Sequence, residues 1–342
     1  MGKDFLPLFF KESDRSSDTL KSISAYITFR LYYLGGNMKK KRNLIGFLVV
    51  SPSIVAIAIF VYGFISSTIR MSFSNWNSYS KLVNGEFEFV GWKNYERLFK
   101  DTRFQTDLWN TLFFTLLFIL ACIVIGLFLA NLLDRKLKGG RFFQNVFLFP
   151  YALSLVVTGT IWSWFFAPGN FPMDPSGINL LLKNLGLGGL QWGWFTSTDT
   201  IGHFNVALIP VIIAATWQLS GYTMAMYLAG MRGIPVSMIE AAQVDGASNW
   251  QIFWRVKMPM LKTVTLSAMI ILGHISLKIF DLVYSMTGSG PNNVTDMPAV
   301  YMYDLTFNRD RYAMGSGVAV IMLAMVAVVI IPYLLSTMKK ED

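Results

Sequence analysis

The sequence predicts an all-α integral membrane protein whose chain crosses the bilayer six times. Its residues are 54% hydrophobic and only 14% charged, with a mean hydropathy of +0.46, which is too apolar for an ordinary soluble domain. The apolar residues also fall in blocks of about twenty, and a helix of that length crosses the roughly 30 Å of hydrocarbon in a bilayer. The six blocks, each predicted to be one transmembrane helix, cover residues 44–69, 109–133, 146–167, 205–230, 263–286 and 316–336.

The basic residues predict how these helices are oriented. They cluster before the first block, after the second and after the fourth, and cytoplasmic loops carry such an excess of Lys and Arg. Because the alternate connections at 168–204 and 287–315 hold few basic residues, both termini are predicted to be cytoplasmic. The formal charge of +9 is therefore interpreted as an orientation signal and not as a nucleic-acid surface. The clusters are Lys39, Lys40, Lys41 and Arg42; Arg135, Lys136, Lys138 and Arg141; and Arg232, Arg255, Lys257 and Lys262.

The two ends of the chain are predicted to be cytoplasmic tails, 1–43 and 337–342, on either side of one membrane domain at 44–336. Residues 1–37 mix apolar patches with Ser and charge, and Met38 followed by a basic run resembles a natural start. Residues 1–37 are therefore either a leader upstream of the true start or part of a short tail. A cleaved signal peptide is not expected, because the first apolar block begins only at Leu44 and is too long for an h-region.

The reactive side chains of the sequence predict no catalysis. The chain has two histidines, no Ser/His/Asp constellation and no metal-ligand spacing. Its one cysteine, Cys122, lies in an apolar block and is interpreted as a core residue rather than a reactive thiol. The sequence also lacks a Gly-x-x-x-x-Gly-Lys-Ser/Thr phosphate loop. We therefore expect this chain to bind no metal and no cofactor.

The connection between the fourth and fifth blocks, about residues 234–260, has the pattern of two short helices. Pro235 suits the first turn of a helix, where its missing N–H has no intrahelical partner to lose. Gly246, directly after Asp245, supplies a backbone position that can turn freely. These signals predict a first helix at about 236–244.

A second short helix is predicted after this turn. Ser248 and Gln251 have the spacing of a capping box, which marks a helix start. Aromatic residues then recur on one helical face until Pro259 ends the pattern. Two such helices either lie on the lipid surface or dock into a groove of another protein, and the Asp-Gly turn beside small alanines favours protein contact. The aromatic residues are Trp250, Phe253 and Trp254.

This connection resembles the EAA loop of the permease subunits of ATP-binding-cassette (ABC) importers. The resemblance is carried by Glu240-Ala241-Ala242, by Asp245-Gly246-Ala247 and by the later Pro259. Further segments, each on the expected side of the membrane, resemble the carbohydrate-uptake branch, so that the match covers about residues 40 to 340. They are Phe-Val-Gly-Trp-Lys-Asn-Tyr at 89–95, Gly-Ile-Asn-Leu-Leu at 177–181, Trp217 with Gly221 and Tyr222, Lys-Ile-Phe-Asp at 278–281 and Thr-Gly-Ser-Gly-Pro at 287–291.

The resemblance implies a type I importer permease and a set of partners. The EAA loop of that family forms a coupling helix that sits in a cleft of the nucleotide-binding subunit, so Glu240, Ala241, Ala242, Asp245 and Gly246 would occupy that contact here. The expected partners are a second, related permease, two copies of the ATPase subunit, which would bind the ATP and Mg²⁺, an extracytoplasmic solute-binding protein, and membrane lipid. The outer connections at 168–204 and 287–315, which the sequence alone predicts as exposed loops, would receive the binding protein.

Polar residues inside the apolar blocks are candidates for the transport path. In the fifth block His274, Lys278, Asp281 and Ser285 recur at helical spacing, which predicts one polar face. Because an ionisable group at membrane depth is costly unless paired or wetted, Lys278 and Asp281 are expected to form an ion pair or to line a water-filled path. Lining a sugar path and forming a structural pair remain open alternatives. In the fourth block, Gln218 and Tyr222 are further candidates.

The predicted function is therefore that of a non-catalytic permease subunit, one half of a path for a sugar or oligosaccharide. A polyol or a glycerophosphate-type solute is the alternative within the class, since nothing in the sequence indicates which arrangement of hydroxyl groups on the solute is recognised. A stand-alone secondary transporter is a weaker alternative, because it would need an internal repeat, which the sequence does not show, and would leave the cytoplasmic loop unexplained.

Overall fold

The computed structural model describes residue 47 and residues 49–338, except 86, 136, 137, 171 and 172. The described chain divides into two units, one that ends at Ser67 and one that begins at Thr68. The predicted tail at 1–43, the start of the first predicted span at 44–46 and the last residues, 339–342, lie outside the described residues.

The described chain is predominantly helical, which confirms the predicted fold class. Two small antiparallel hairpins interrupt the helices, β1 (Gly169–Asn170) with β2 (Asp174–Pro175) and β3 (Thr200–Ile201) with β4 (Phe204–Asn205). The helices are α1 (Val49–Ser72), α2 (Tyr79–Val83), α3 (Lys93–Lys100), α4 (Thr102–Asp134), α5 (Gly140–Leu148), α6 (Leu155–Phe165), α7 (Gly177–Asn184), α8 (Leu208–Arg232), α9 (Val236–Val244), α10 (Asn249–Met260), α11 (Lys262–Leu277), α12 (Asp281–Met286), α13 (Pro298–Tyr303) and α14 (Tyr312–Met338).

The described helices include four candidate spans, and two bent helix pairs bring the number to as many as six. In the described residues, α1, α4, α8 and α14 are each long and apolar enough to cross a membrane. Two bent pairs complete the six if each counts as one span: α5, prolonged by a 3₁₀ turn to Ala152, with α6 at 96°, and α10 with α11 at 64°. The third predicted span, 146–167, is therefore not the straight helix that the sequence predicted.

The third span can break at Leu153 because the carbonyl group that the break frees accepts a hydrogen bond from another helix. Pro150 cannot donate a backbone hydrogen bond, Leu153 is extended (φ −78°, ψ 149°), and the Ser154 hydroxyl caps the first turn of α6. A carbonyl freed in this way costs free energy in hydrocarbon unless it accepts a hydrogen bond. The Gln218 side chain on α8 donates to the Leu153 carbonyl oxygen at 2.8 Å.

The fifth predicted span is also interrupted. α11 ends at Leu277, and Lys278 (φ −120°, ψ 18°) and Phe280 (φ −120°, ψ −59°) leave the helical conformation before α12 begins at Asp281. A single helical face carrying residues 274, 278, 281 and 285 was therefore a wrong prediction. The last turn of α11 tightens, with Ile279 N–H bonding Ser276 C=O at 3.3 Å, and Ile279 packs into the core at 4% exposure.

The core lies around α8. In its membrane-spanning window 72% of α8 is buried, against 22% for α4 and 28% for α14. Small residues allow this close approach, as they do in other membrane helices: a Cβ at Gly126 would meet the Thr223 side chain, and one at Gly221 would overlap the Phe147 carbonyl. Cys122 is fully buried in this core, which agrees with its interpretation as a packing residue.

The connection at 287–315 is not the exposed loop that the sequence predicted. The Asn110 amide on α4 donates to the carbonyl oxygens of Val294 (3.2 Å) and Asp296 (2.9 Å) and accepts from Asn205 at 2.7 Å. α13 follows, and its Tyr301 is buried. One buried amide thus ties this connection and the β3–β4 hairpin to α4, a link between residues far apart in the sequence.

Candidate functional site

The helix predicted at 236–244 is present as α9, with the same bounds. None of its described side chains is buried, and Val244 at its end is 87% exposed. Glu240 and Ala241 are exposed and Ala242 is half-buried. In the described part of the chain Glu240 has no ion-pair partner. α9 therefore offers a free, partly apolar surface.

The turn after α9 is a Schellman motif, in which a left-handed residue closes a helix. Gly246 has φ +79°, its N–H bonds the Gln243 carbonyl at 3.0 Å, and the N–H of Ala247 bonds the Ala242 carbonyl at 2.9 Å. A Cβ at Gly246 would meet no atom within 4 Å, so only the backbone conformation demands glycine there. The predicted free turn after Asp245 is confirmed in this geometry.

The second predicted helix is α10, and its capping box is formed. Ser248 Oγ accepts from the Gln251 N–H at 3.3 Å, and Gln251 Oε1 accepts from the Ser248 N–H at 2.8 Å. The helix runs on to Met260 instead of stopping at Pro259, because a wider π turn at residues 253–257 precedes the proline. The bend into α11 follows at Leu261.

α10 is fastened to the membrane helices, whereas α9 is not. Ile252 is 3% exposed, and Phe253 packs against a cluster that includes Tyr227 on α8 and Leu261. Lys257 Nζ lies 2.5 Å from a carboxylate oxygen of Asp134, the last residue of α4. A force on α9 can therefore reach the ends of α4 and α8 through α10.

A second candidate region is a cavity of about 520 Å³ next to the two helix breaks, called here the midspan cavity. Gln218, Lys278 and Asp281, three of the predicted pathway residues, line it together with Tyr151. Another of the five predicted pathway residues, Tyr222, stacks on Tyr151 with ring centroids 4.9 Å apart. The breaks in the third and fifth spans thus bring residues from three parts of the sequence around one space.

The charges at the midspan cavity are not neutralised by each other. Lys278 and Asp281 are both exposed, and no salt bridge joins them or engages either with another described residue. Gln218 is 3% exposed; its amide nitrogen holds Leu153, while its carbonyl oxygen has no hydrogen-bond partner among the described residues. The expected ion pair is thus not formed, and the exposed Lys278 and Asp281 side chains remain available to a solute or water.

His274 does not join this cluster. It lies on α11, does not line the midspan cavity, and its Nδ1 is buried with no hydrogen-bond partner in the described structure. Within the described residues, no three His, Cys, Asp or Glu side chains are grouped as a metal site would require.

Sequence reasoning missed Tyr151 and an ionic cluster at the other end of α4. Arg103 lies 2.5 Å from Asp296 and 2.6 Å from Asp304 through two different guanidinium nitrogens, and Arg309 reaches Asp304 at 2.9 Å. Although partial burial acts in the opposite direction, hydrogen bonds from Asn308 and Arg103 hold the pKa of Asp304 below its usual range. Pro150 inside an apolar block could have indicated a helix break next to Tyr151. No nearby residue in the sequence indicates the ion pairs of Arg103.

Comparison with known proteins agrees with this architecture. Residues 122–338 match the family described as the binding-protein-dependent transport system inner membrane component. A probable ABC transporter permease protein of Pyrococcus horikoshii is 40% identical over 296 residues, which cover 86% of this chain and 96% of that protein. The xylose/arabinose import permease protein XacH of Haloferax volcanii is 35% identical over 281 residues, 82% of this chain and 84% of that protein.

A solved structure shares the fold at lower identity. A chain of a bacterial ABC transporter involved in alginate import superposes with a TM-score of 0.72 at 20% identity, covering 90% of this chain and 98% of the other. The protein is a membrane-spanning transport permease subunit. The chain belongs to the family of binding-protein-dependent transport system inner membrane components, and the resemblance to carbohydrate-uptake ABC importer permeases is confirmed.

Proposed function

We propose that this chain forms one half of the translocation path of an ABC importer for a sugar or oligosaccharide. A second, related permease would supply the other half, because the charged residues that line the midspan cavity, Lys278 and Asp281, are exposed and lack ion-pair partners in the described chain. An extracytoplasmic binding protein would deliver the solute, as the family description implies.

The observation that carries this proposal is the contrast between α9 and α10. α9 exposes Val244 and a free Glu240 carboxylate, whereas α10 is anchored by Ile252 and Lys257. A helix that lies free on one side and is coupled on the other to the ends of spanning helices suits a mechanical contact with a moving partner. We assign that contact to Glu240, Ala241, Ala242, Asp245 and Gly246, with the ATPase subunits as the partner that binds ATP and Mg²⁺.

The assignment sets the orientation of the chain. The loop at 234–260 would face the cytoplasm in the cytoplasmic membrane, together with the basic clusters near residues 135–141 and 255–262, and both termini would lie on that side. The connection at 287–315 and the two β hairpins would then face outward, towards the binding protein.

The cargo proposal rests on the relatives and on the midspan cavity. One relative is named for xylose and arabinose import. Gln218, Lys278 and Asp281 combine hydrogen-bond donors and acceptors, and the Tyr151–Tyr222 pair adds aromatic faces. Sugars present both hydroxyl groups and apolar ring faces, so this mixture suits them.

The test is an affinity purification of the tagged chain from its native cells, as wild type and as Gly246→Asp, followed by identification of the co-purified proteins, ATPase assay and uptake of labelled sugars. Wild type is expected to bring down an ATPase and a second permease, and Gly246→Asp to lose the ATPase. The control is Gly140→Ala, because a Cβ added at Gly140 would meet no atom within 4 Å. A chain that purifies alone and moves solute without ATP would overturn the proposal.

A further inference from the structure

Four aromatic side chains form a continuous row between the midspan cavity and the connection at 287–315. The ring centroids of Phe280 and Tyr284 are 5.0 Å apart, Tyr303 lies 5.3 Å from Phe280 and 5.2 Å from Tyr284, and Phe307 lies 5.0 Å from Tyr303. These four rings, called here the aromatic row, come from the α11–α12 break, from α12, from α13 and from the turn after α13.

The aromatic row begins in the midspan cavity and leads to open surface. Phe280 lines the cavity, next to Asp281. Tyr284 is 45% exposed and Phe307, at the far end, is 67% exposed. The hydroxyl groups of Tyr284 and Tyr303 make no hydrogen bond within the described residues, so both remain available. The row therefore offers ring faces bordered by free hydroxyl groups.

The face of α12 that carries Tyr284 does not suit lipid. Asp281 lies one turn before Tyr284 on the same side of this helix and is exposed, without an ion-pair partner in the described structure. A carboxylate at membrane depth is unfavourable in hydrocarbon unless it is paired or wetted. Ser285, beside Tyr284, is also only half-buried. This face is therefore directed at water or protein.

We propose that the aromatic row is a carbohydrate track, along which the apolar faces of sugar rings stack as the solute passes between the outer end and the midspan cavity. This inference rests on the proposed carbohydrate function. Overlapping ring contacts let a sugar move from one ring to the next without losing all its contacts, and the tyrosine hydroxyls can replace water around the sugar hydroxyls. Phe307 receives the ring first, and Phe280 delivers it to Gln218, Lys278 and Asp281.

The experiment measures ATP-dependent uptake by the complete importer in proteoliposomes, with labelled xylose, arabinose, glucose and maltose as probes. Tyr284→Leu and Phe307→Leu keep apolar volume but remove a ring, and each is expected to lower kcat/KM for uptake about fivefold, whereas Tyr284→Trp restores it. Phe128→Leu, which removes a 61% exposed ring from α4 outside the row, is the matched control and should transport like wild type.

The possible results separate the two proposals. Wild type that imports none of the probes overturns the carbohydrate function and the track with it. Wild type that imports a probe, with Leu variants that keep its kcat/KM, overturns the track alone. Leu variants that no longer retain the second permease on size-exclusion chromatography would identify the row as a subunit interface, which also overturns the track.

Discussion

The central helix α8 and the loop at 234–260 are neighbours in the sequence and differ most in their burial. In α8, 72% of the spanning window is buried and small residues bring other backbones close, as at Gly221 beside the Phe147 carbonyl. In α9, four residues further along, no described side chain is buried. α8 packs mainly against other helices of its own chain, whereas α9 is folded but exposes its side chains.

This difference predicts two kinds of mutational effect. Substitutions at buried positions of α8 should lower the free energy of unfolding, because the contacts they disturb lie within the chain. Substitutions in α9 should leave the fold intact and weaken association with the ATPase, because the contacts they disturb lie outside the chain. The following variants test this division, from the largest expected effect on stability to the smallest.

Gly221→Val is expected to have the largest effect. Its side chain would overlap the backbone carbonyl of Phe147, which cannot move as a flexible side chain could, so we expect a loss of more than about 3 kcal/mol or failure to accumulate in the membrane. Thermal unfolding in detergent measures this, with Gly140→Ala as control. Wild-type Tm for Gly221→Val would mean that α5 and α8 can separate freely.

Gln218→Leu should have the next largest effect. It removes the donor to the Leu153 carbonyl oxygen and leaves that group unpaired at the break of the third span, a cost of about 1–3 kcal/mol. The matched control is Thr223→Val, an isosteric change on the same helix whose hydroxyl bonds only the Leu219 carbonyl of its own preceding turn. If both variants melt alike, Gln218 does not stabilise the break.

Gly246→Ala tests the end of α9. Because φ at this position is +79°, alanine must adopt the left-handed conformation, which destabilises the local turn by about 1–2 kcal/mol. We expect a small change in Tm but a clear loss of co-purified ATPase. Gly246→Asn, which tolerates this conformation better, should retain more ATPase than Gly246→Ala. Equal retention by both variants would show that the turn geometry is not needed for the contact.

Val244→Ser should leave stability unchanged and reduce association only. The side chain is 87% exposed, so the Tm should not move, while loss of an apolar contact with a partner should weaken binding about tenfold. The control is Leu190→Ser, a 63% exposed apolar residue of the connection at 168–204. A quantitative pull-down titration measures the difference, and a lowered Tm with unchanged binding would reverse the roles given to α8 and α9.

Local rules predicted α9 and its turn because the causes are local. Pro235, Gly246 and the pair Ser248 and Gln251 act on backbone groups within a few residues, and each appears in the structure where the sequence places it. The prediction of a continuous fifth span was wrong. Apolar periodicity describes a single helix and does not indicate that the chain leaves the helix so that Ile279 packs into the core. The roles of Glu240 and Asp245 at a partner stay predictions.

The midspan cavity brings together residues whose proximity could not be predicted from sequence spacing. Its residues were recognised singly, as polar groups in apolar blocks, but Tyr151, Gln218 and Asp281 meet only because two spans break. The ionic cluster around Arg103 was missed for a related reason, since its partner Asp296 lies in a segment whose sequence is that of an ordinary loop, and only the structure shows that Asn110 binds its backbone.

The sequence by itself determined that the chain is a helical membrane protein and where a capped pair of helices lies, between residues 234 and 260. These follow from hydrocarbon thickness and backbone geometry, each set by nearby residues. Packing around α8 decided where the spans bend and which polar groups share a cavity. At Leu153 the break is stabilised because a distant side chain, that of Gln218, satisfies the freed backbone group.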